Sequence, residues 1–140
     1  MPDGSLLGRA LVPSQFLPEA ALVVDGLVAG TTEVVAPSPL PIEFASALRR
    51  LETRGLLAPA TSAVIWAAFR DVPIRFSFDI AWVERAREIA VIAGLSKVYD
   101  ATYLACAEAL DAEFVTCDGR FVAALPAGLR ARVRLVQPAH

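Results

Sequence analysis

The sequence predicts an α/β domain of three layers, α/β/α, with a mainly parallel central sheet covered by helices on both faces. Short apolar runs of strand length alternate with longer segments of helical periodicity. Proline and glycine mark the junctions, and no polar linker, repeat or low-complexity tract divides the chain. Parallel pairing requires crossover connections, which the intervening helices supply. The expectation is one domain over residues 1–140, 56% apolar. A chain of this length buries roughly two thirds of its unfolded surface, so no disulfide or metal staple is needed.

The elements follow in order. Pro18 to Gly30 reads as a helix with Glu19 in its first turn, an apolar stripe of Leu22, Val23, Leu27 and Val28, and Gly30 as its stop. Val34 to Ala36 is a short strand. Pro37, Pro39 and Pro41 lead into a helix from about Leu40 to Arg54, in which Phe44, Ala47, Leu48 and Leu51 recur at helical spacing. A further helix is expected from Pro59 to Arg70, and a strand from Ile74 to Phe78. Asp79 then caps a helix that runs to Gly94. Val98 to Leu110 is helical, Glu113 to Cys117 strand-like, Gly119 to Leu125 a short helix, and Arg132 to Val136 a closing strand with Val133 and Leu135 alternating.

Composition narrows the function classes. The two cysteines, Cys106 and Cys117, lack zinc-ligand spacing and are too few for a disulfide framework, which fits a reduced intracellular protein. No secretory signal opens the chain, and the longest clean apolar run, Ala63 to Phe69, is far short of a membrane span; the expected location is the cytoplasm. A net charge of −2 gives no overall attraction for nucleic acid, so any RNA contact must be local. His140 is the only histidine, which argues against a histidine-based triad or a multi-histidine metal site, and as the last residue it is expected to be disordered. No phosphate-binding glycine motif or nucleophile elbow occurs. Trp66, Trp82 and Tyr103 are expected to pack rather than stack on bases.

Asp3, Glu43, Asp100 and Asp118 carry the chemical signal. Asp118 directly follows a strand, and Glu43 and Asp100 lie in first helical turns, so all three belong at the carboxyl edge of the sheet, where ligands of open α/β folds bind. Apolar neighbours imply partial burial: Ile42 and Phe44 beside Glu43, Tyr99 and Ala101 beside Asp100. Carboxylates sharing such a pocket repel by about 4 kcal/mol per pair at ~4 Å and an effective dielectric of ~20. A divalent cation relieves this, and all-oxygen donors suit Mg²⁺ or Mn²⁺. The matching chemistry is phosphodiester hydrolysis. Taken singly, each acid has a plainer reading: a flexible terminal residue for Asp3, a helix-start acid for Glu43 and Asp100, a turn residue for Asp118.

With these residues in view, nearly the whole chain resembles a PIN domain of the VapC type. Asp3 and Ser5 in PDGSLL resemble the family's opening aspartate and hydroxyl residue. EFASALRR, Glu43 to Arg50, resembles its second-helix motif, with Ser46 where relatives often carry asparagine. Asp100 in LSKVYDATYLACAEAL matches the third acid, and Asp118 in FVTCDGRF the fourth, with Thr116 two residues earlier. The resemblance implies that the four acids bind Mg²⁺ or Mn²⁺ and that Ser5 and Thr116 support them by hydrogen bonds. It further implies a ribonuclease toxin acting on RNA, with transfer RNA as the expected target, a homodimer, and an antitoxin that occludes the site. Arg49, Arg50 and Arg120 are candidates for guiding the RNA backbone. Relatives carry an apolar first strand before the opening aspartate, whereas only Met1 and Pro2 precede Asp3, so a truncated first strand is expected.

Asp25, at the end of ALVVD, is the rival for the first acid. The 18 positions from Asp25 to Glu43 (43 minus 25) leave too little room for a crossover helix, which favours Asp3. Two further readings stand beside the nuclease: a PIN-like protein that has lost catalysis and acts through dimer and antitoxin contacts, and a metal-dependent phosphatase acting on small phosphoesters.

Overall fold

The computed structural model describes residues 1–139; the expectation for His140 lies outside them. Helix α1 (Gly4–Leu11) is capped by Asp3, whose carboxylate accepts from the backbone N–H of Leu6, and it fully buries Leu6 and Leu7. A 3-10 turn at Pro13–Gln15 leads to α2 (Pro18–Ala29), with proline in its first turn. Strand β1 (Val34–Pro37) is buried at every position. Helix α3 (Leu40–Thr53) turns Leu40, Phe44 and Leu48 inward, and α4 (Pro59–Asp71) does the same with Ser62, Ile65 and Phe69. Strand β2 (Ile74–Ser77) is a partly exposed edge.

Asp79 caps α5 (Ile80–Ala93), and Gly94 ends it in the left-handed region at φ 67°, where a side chain would be strained. Helix α6 (Tyr99–Ala109) buries seven successive residues, Ala101 to Ala107. A helix apolar all round belongs inside a protein, and its alanines let neighbouring backbones come close. Arg85 joins α5 to α6 through Glu108 at 2.9 Å. Strand β3 (Phe114–Thr116) is fully buried, followed by α7 (Gly119–Ala124), α8 (Ala127–Arg130) and β4 (Val133–Leu135).

Every strand pair is parallel, as expected. Val34 pairs with Ile74 and Ala36 with Phe76; Phe114 pairs with Val133 and Thr116 with Leu135. The sheet nevertheless differs from one continuous layer, because β1–β2 and β3–β4 form separate two-stranded sheets. Pro2 makes an isolated parallel bridge to Val115. Met1 completes that ladder: its carbonyl accepts from Val115 N–H at 2.8 Å and its ammonium donates to the Glu113 carbonyl at 2.7 Å. Burial lowers the pKa of that amine, with Glu113 opposing. A cavity of about 920 Å³ lies between the two sheets, lined by Met1, Val34, Val35, Glu113 and Val115 among others.

One hydrophobic cluster spans the elements. Phe69 stacks on Phe44 at 4.6 Å and on Trp66 at 5.1 Å, tying α4 to α3, while Tyr103 of α6 stacks on Phe114 of β3 at 5.8 Å. Trp82 is buried, so both tryptophans pack, as expected.

Candidate active site

The cavity between the two sheets is lined by none of the four candidate acids. Each of them instead stands where a helix begins: Asp3 as the cap of α1, Glu43 in the first turn of α3, Asp100 in the first turn of α6, and Asp118 as the cap of α7. The positive end of a helix favours a carboxylate there. Asp118 accepts from Phe121 N–H at 3.0 Å, which fixes its side chain at the carboxyl end of β3.

Asp3 is 3% exposed, so a flexible terminal residue is not what the structure shows. Its Oδ1 accepts from the Ser5 hydroxyl at 2.7 Å and from Leu6 N–H at 2.9 Å, and its Oδ2 accepts from the Thr116 hydroxyl at 2.6 Å. Thr116 also accepts from Asp118 N–H at 3.0 Å, and Ser5 from Cys117 N–H at 2.9 Å. Each hydroxyl has one hydrogen, and both are given to Asp3; the 3.0 Å separation of the two hydroxyl oxygens is then a close approach rather than a donation. The network joins α1 to the end of β3, residues more than a hundred positions apart in sequence.

Glu43 is held from another direction. The Tyr103 hydroxyl donates to its Oε2 at 3.2 Å. Packing alone was expected of Tyr103; its position three residues after Asp100 puts both on one face of α6, and that spacing was the available signal.

Burial raises the pKa of Asp3 against the opposing hydrogen bonds from Thr116, Leu6 and Ser5. Burial likewise raises Glu43, with Tyr103 opposing and Asp3 assisting. Asp100 is pushed up to about 6, first by burial and then by the charges of Asp118, Asp3 and Glu43. All three other acids act on Asp100, so the four share one electrostatic environment. Asp25, the rival, is exposed on α2 and lines none of the cavities beside these acids.

Two smaller cavities border the group. One, of about 210 Å³, is lined by Glu43, Phe44, Gln15 and Arg50; the other, of about 540 Å³, by Ser5, Arg9, Asp118 and Arg120. Arg49 is drawn off by Glu52 at 2.9 Å, with 71% of its side chain exposed. Arg9 and Gln15 were missed from sequence; Arg9 follows Ser5 by one helical turn, a signal visible only once α1 is known to be a helix.

The family model for the PIN domain matches residues 8–124. The chain belongs to the PIN-domain family. Two relatives, each named Ribonuclease VapC12, come from Mycobacterium tuberculosis strains CDC 1551 / Oshkosh and ATCC 25618 / H37Rv. Each is 30% identical over 103 residues, covering 74% of this chain and 76% of the relative. The PIN match includes Glu43, Asp100, Thr116 and Asp118 but begins after Asp3 and Ser5, which are placed by the hydrogen bonds described above.

The donor chemistry of this PIN site fits a hard divalent cation: four carboxylates, two hydroxyls and no histidine or thiolate among them. Among the described residues, however, no three acidic, histidine or cysteine side chains come close enough to surround an ion together. Mg²⁺ tolerates such spacing, because it keeps several waters and takes one or two protein carboxylates along with substrate phosphate oxygens. Among the described residues no helix is long and apolar enough to cross a membrane.

Proposed function

We propose that this PIN-domain protein is an endoribonuclease that hydrolyses RNA phosphodiesters, with Mg²⁺ or Mn²⁺ held by Asp3, Glu43, Asp100 and Asp118. The observation that carries the reading is the hydrogen-bonded joint of Asp3 and Asp118 through Ser5 and Thr116, in a chain whose relatives are named ribonucleases. Asp100 stands near it, raised first by burial and then by the charges of the other three acids. Negative charge concentrated in a half-buried pocket has to be neutralised by a cation or by protons. The bound metal supplies Lewis-acid polarisation of the phosphoryl group and a water of lowered pKa.

The protein's own residues do the positioning. Ser5 and Thr116 fix both oxygens of Asp3, and by donating to its ionised form they oppose the protonation that burial favours. Tyr103 does the same for Glu43. Arg50 and Arg120 line the cavities on which the acids border, where they attract the RNA backbone; Arg49, paired with Glu52 and largely exposed, takes a lesser part. The relatives' name, Ribonuclease VapC12, supports the ribonuclease activity. A toxin role with a cognate antitoxin, a cytoplasmic location and transfer RNA as the target class are further parts of the proposal. A homodimer belongs to the same reading, and exposed apolar side chains such as Val64, Phe78 and Ile80 are of the kind a protein partner covers.

Asp100→Asn tests this. The variant should retain the circular dichroism of the parent and lose Mn²⁺-dependent cleavage of a transfer RNA pool by at least about a hundredfold. Undiminished cleavage would remove Asp100 from the site and the reading with it. A second reading, a PIN protein that binds partners without cutting RNA, is favoured by the absence of a close three-acid group among the described residues. It predicts that the parent protein itself shows no metal-dependent cleavage.

A further inference from the structure

Five arginines form ion pairs among the described residues: Arg49, Arg75, Arg85, Arg132 and Arg134. Arg9 and Arg120 are among the seven arginines that form none there, and what sets these two apart is their place. Both line one cavity of about 540 Å³, and Asp118 lines it with them. They reach it from separate parts of the chain. Arg9 stands on α1 one turn beyond Ser5, and Arg120 on α7 two residues after its capping Asp118.

Two exposed guanidiniums without carboxylate partners, facing a cavity that shares a wall with an acidic centre, suit a polyanion that bridges the two. The guanidinium fork matches a phosphate in two-point geometry, which lysine does not offer. A phosphate at the acids would be held through a cation, so the arginines are left for a different phosphate on the same strand. We propose that Arg9 and Arg120 form a phosphate subsite that holds the RNA phosphodiester next to the one cut at the acids. This rests on the nuclease reading for the role of the acids. Arg9 thereby becomes a positioning residue: it fixes the register in which the strand crosses Asp118 and takes no part in bond breaking.

The test is the binding of a fluorescent single-stranded RNA decamer in EDTA, where no metal-dependent cleavage can occur, followed by cleavage of the decamer and of a dinucleotide in Mn²⁺. Arg9→Ala and Arg120→Ala should each weaken decamer binding about tenfold, and the double variant should lower the slope of log affinity against log salt by about one contact's worth. Arg9→Lys should recover part of the affinity but not all. The dinucleotide has no neighbouring phosphodiester, so Arg9→Ala should slow its cleavage much less than it slows cleavage of the decamer. Decamer affinity and salt slope unchanged in the double variant would overturn the subsite, as would an equal loss on the dinucleotide. If the parent binds the decamer through both arginines yet cuts neither substrate, the subsite stands and the nuclease reading fails. A parent that does not bind the decamer overturns the subsite directly.

Discussion

Thr116 gives its hydroxyl hydrogen to Asp3, accepts from the backbone N–H of Asp118, and has no surface exposed to solvent. Removing that hydroxyl while keeping the side chain's shape strands a buried carboxylate oxygen and a backbone donor together. Leaving such groups unsatisfied costs about 1–3 kcal/mol. Thr116→Val should therefore lower the unfolding free energy by about that amount in urea titration, and also slow RNA cleavage, because Asp3 loses one of its three donors. Thr116→Ser keeps the hydroxyl and should lie close to the parent in both measurements. A valine variant as stable as the parent would mean that water replaces the hydroxyl, and that Thr116 does not fix Asp3. In the sequence, Thr116 could be singled out only by its place two residues before Asp118. The partner it bonds lies 113 positions away, a distance that no local pattern bridges.

At the scale of elements, the start signals did most to make the fold legible. Asp79 caps α5 through Ala81 N–H at 2.9 Å, the role its position before an amphipathic run predicts. Its cap lies far from the acids along the chain and is exposed, so Asp79→Ala should cost about 1 kcal/mol in thermal or urea unfolding and leave RNA cleavage unchanged. A loss of cleavage would show that α5 contributes to the site. The long periodic helices and the β-branched strands were readable because each repeats its pattern over several turns or alternations. Helix α1 was not. Its eight residues, GSLLGRAL, include two glycines of poor helix propensity, and only the capping bond from Asp3 and the burial of Leu6 and Leu7 make it helical. Missing α1 concealed Arg9, whose relation to Ser5 depends on helical spacing. The 3-10 turn at Pro13–Gln15 and the four-residue α8 are too short to carry a period at all.

Over the whole molecule, the charges of Asp118, Asp3 and Glu43 all act on Asp100, and a gathering of helix starts at one end of a parallel sheet is what open α/β folds lead one to expect. Pro2 bridges to Val115 of β3, and β1–β2 and β3–β4 stand as separate two-stranded sheets. How near the acids come to one another was not legible, since side-chain reach and burial decide it. The energetic consequence is a fold that works against itself when no cation is present. Asp100 is raised to about 6, so the folded state holds its proton more tightly than the unfolded chain does. Its penalty is absent below the ordinary carboxylate range, grows as pH rises from about 4 to about 6, and is fully present at pH 7. The shift would correspond to about 3 kcal/mol, which partial exposure reduces to ~1–2 kcal/mol. The most direct test is the thermal unfolding of the parent and of Asp100→Asn at pH 7, each in EDTA and in Mn²⁺. In EDTA the variant should melt roughly 3–6 °C above the parent. Mn²⁺ should raise the parent and leave the variant nearly unmoved. A variant that melts no higher than the parent in EDTA and gains as much from Mn²⁺ would contradict a shared acidic centre.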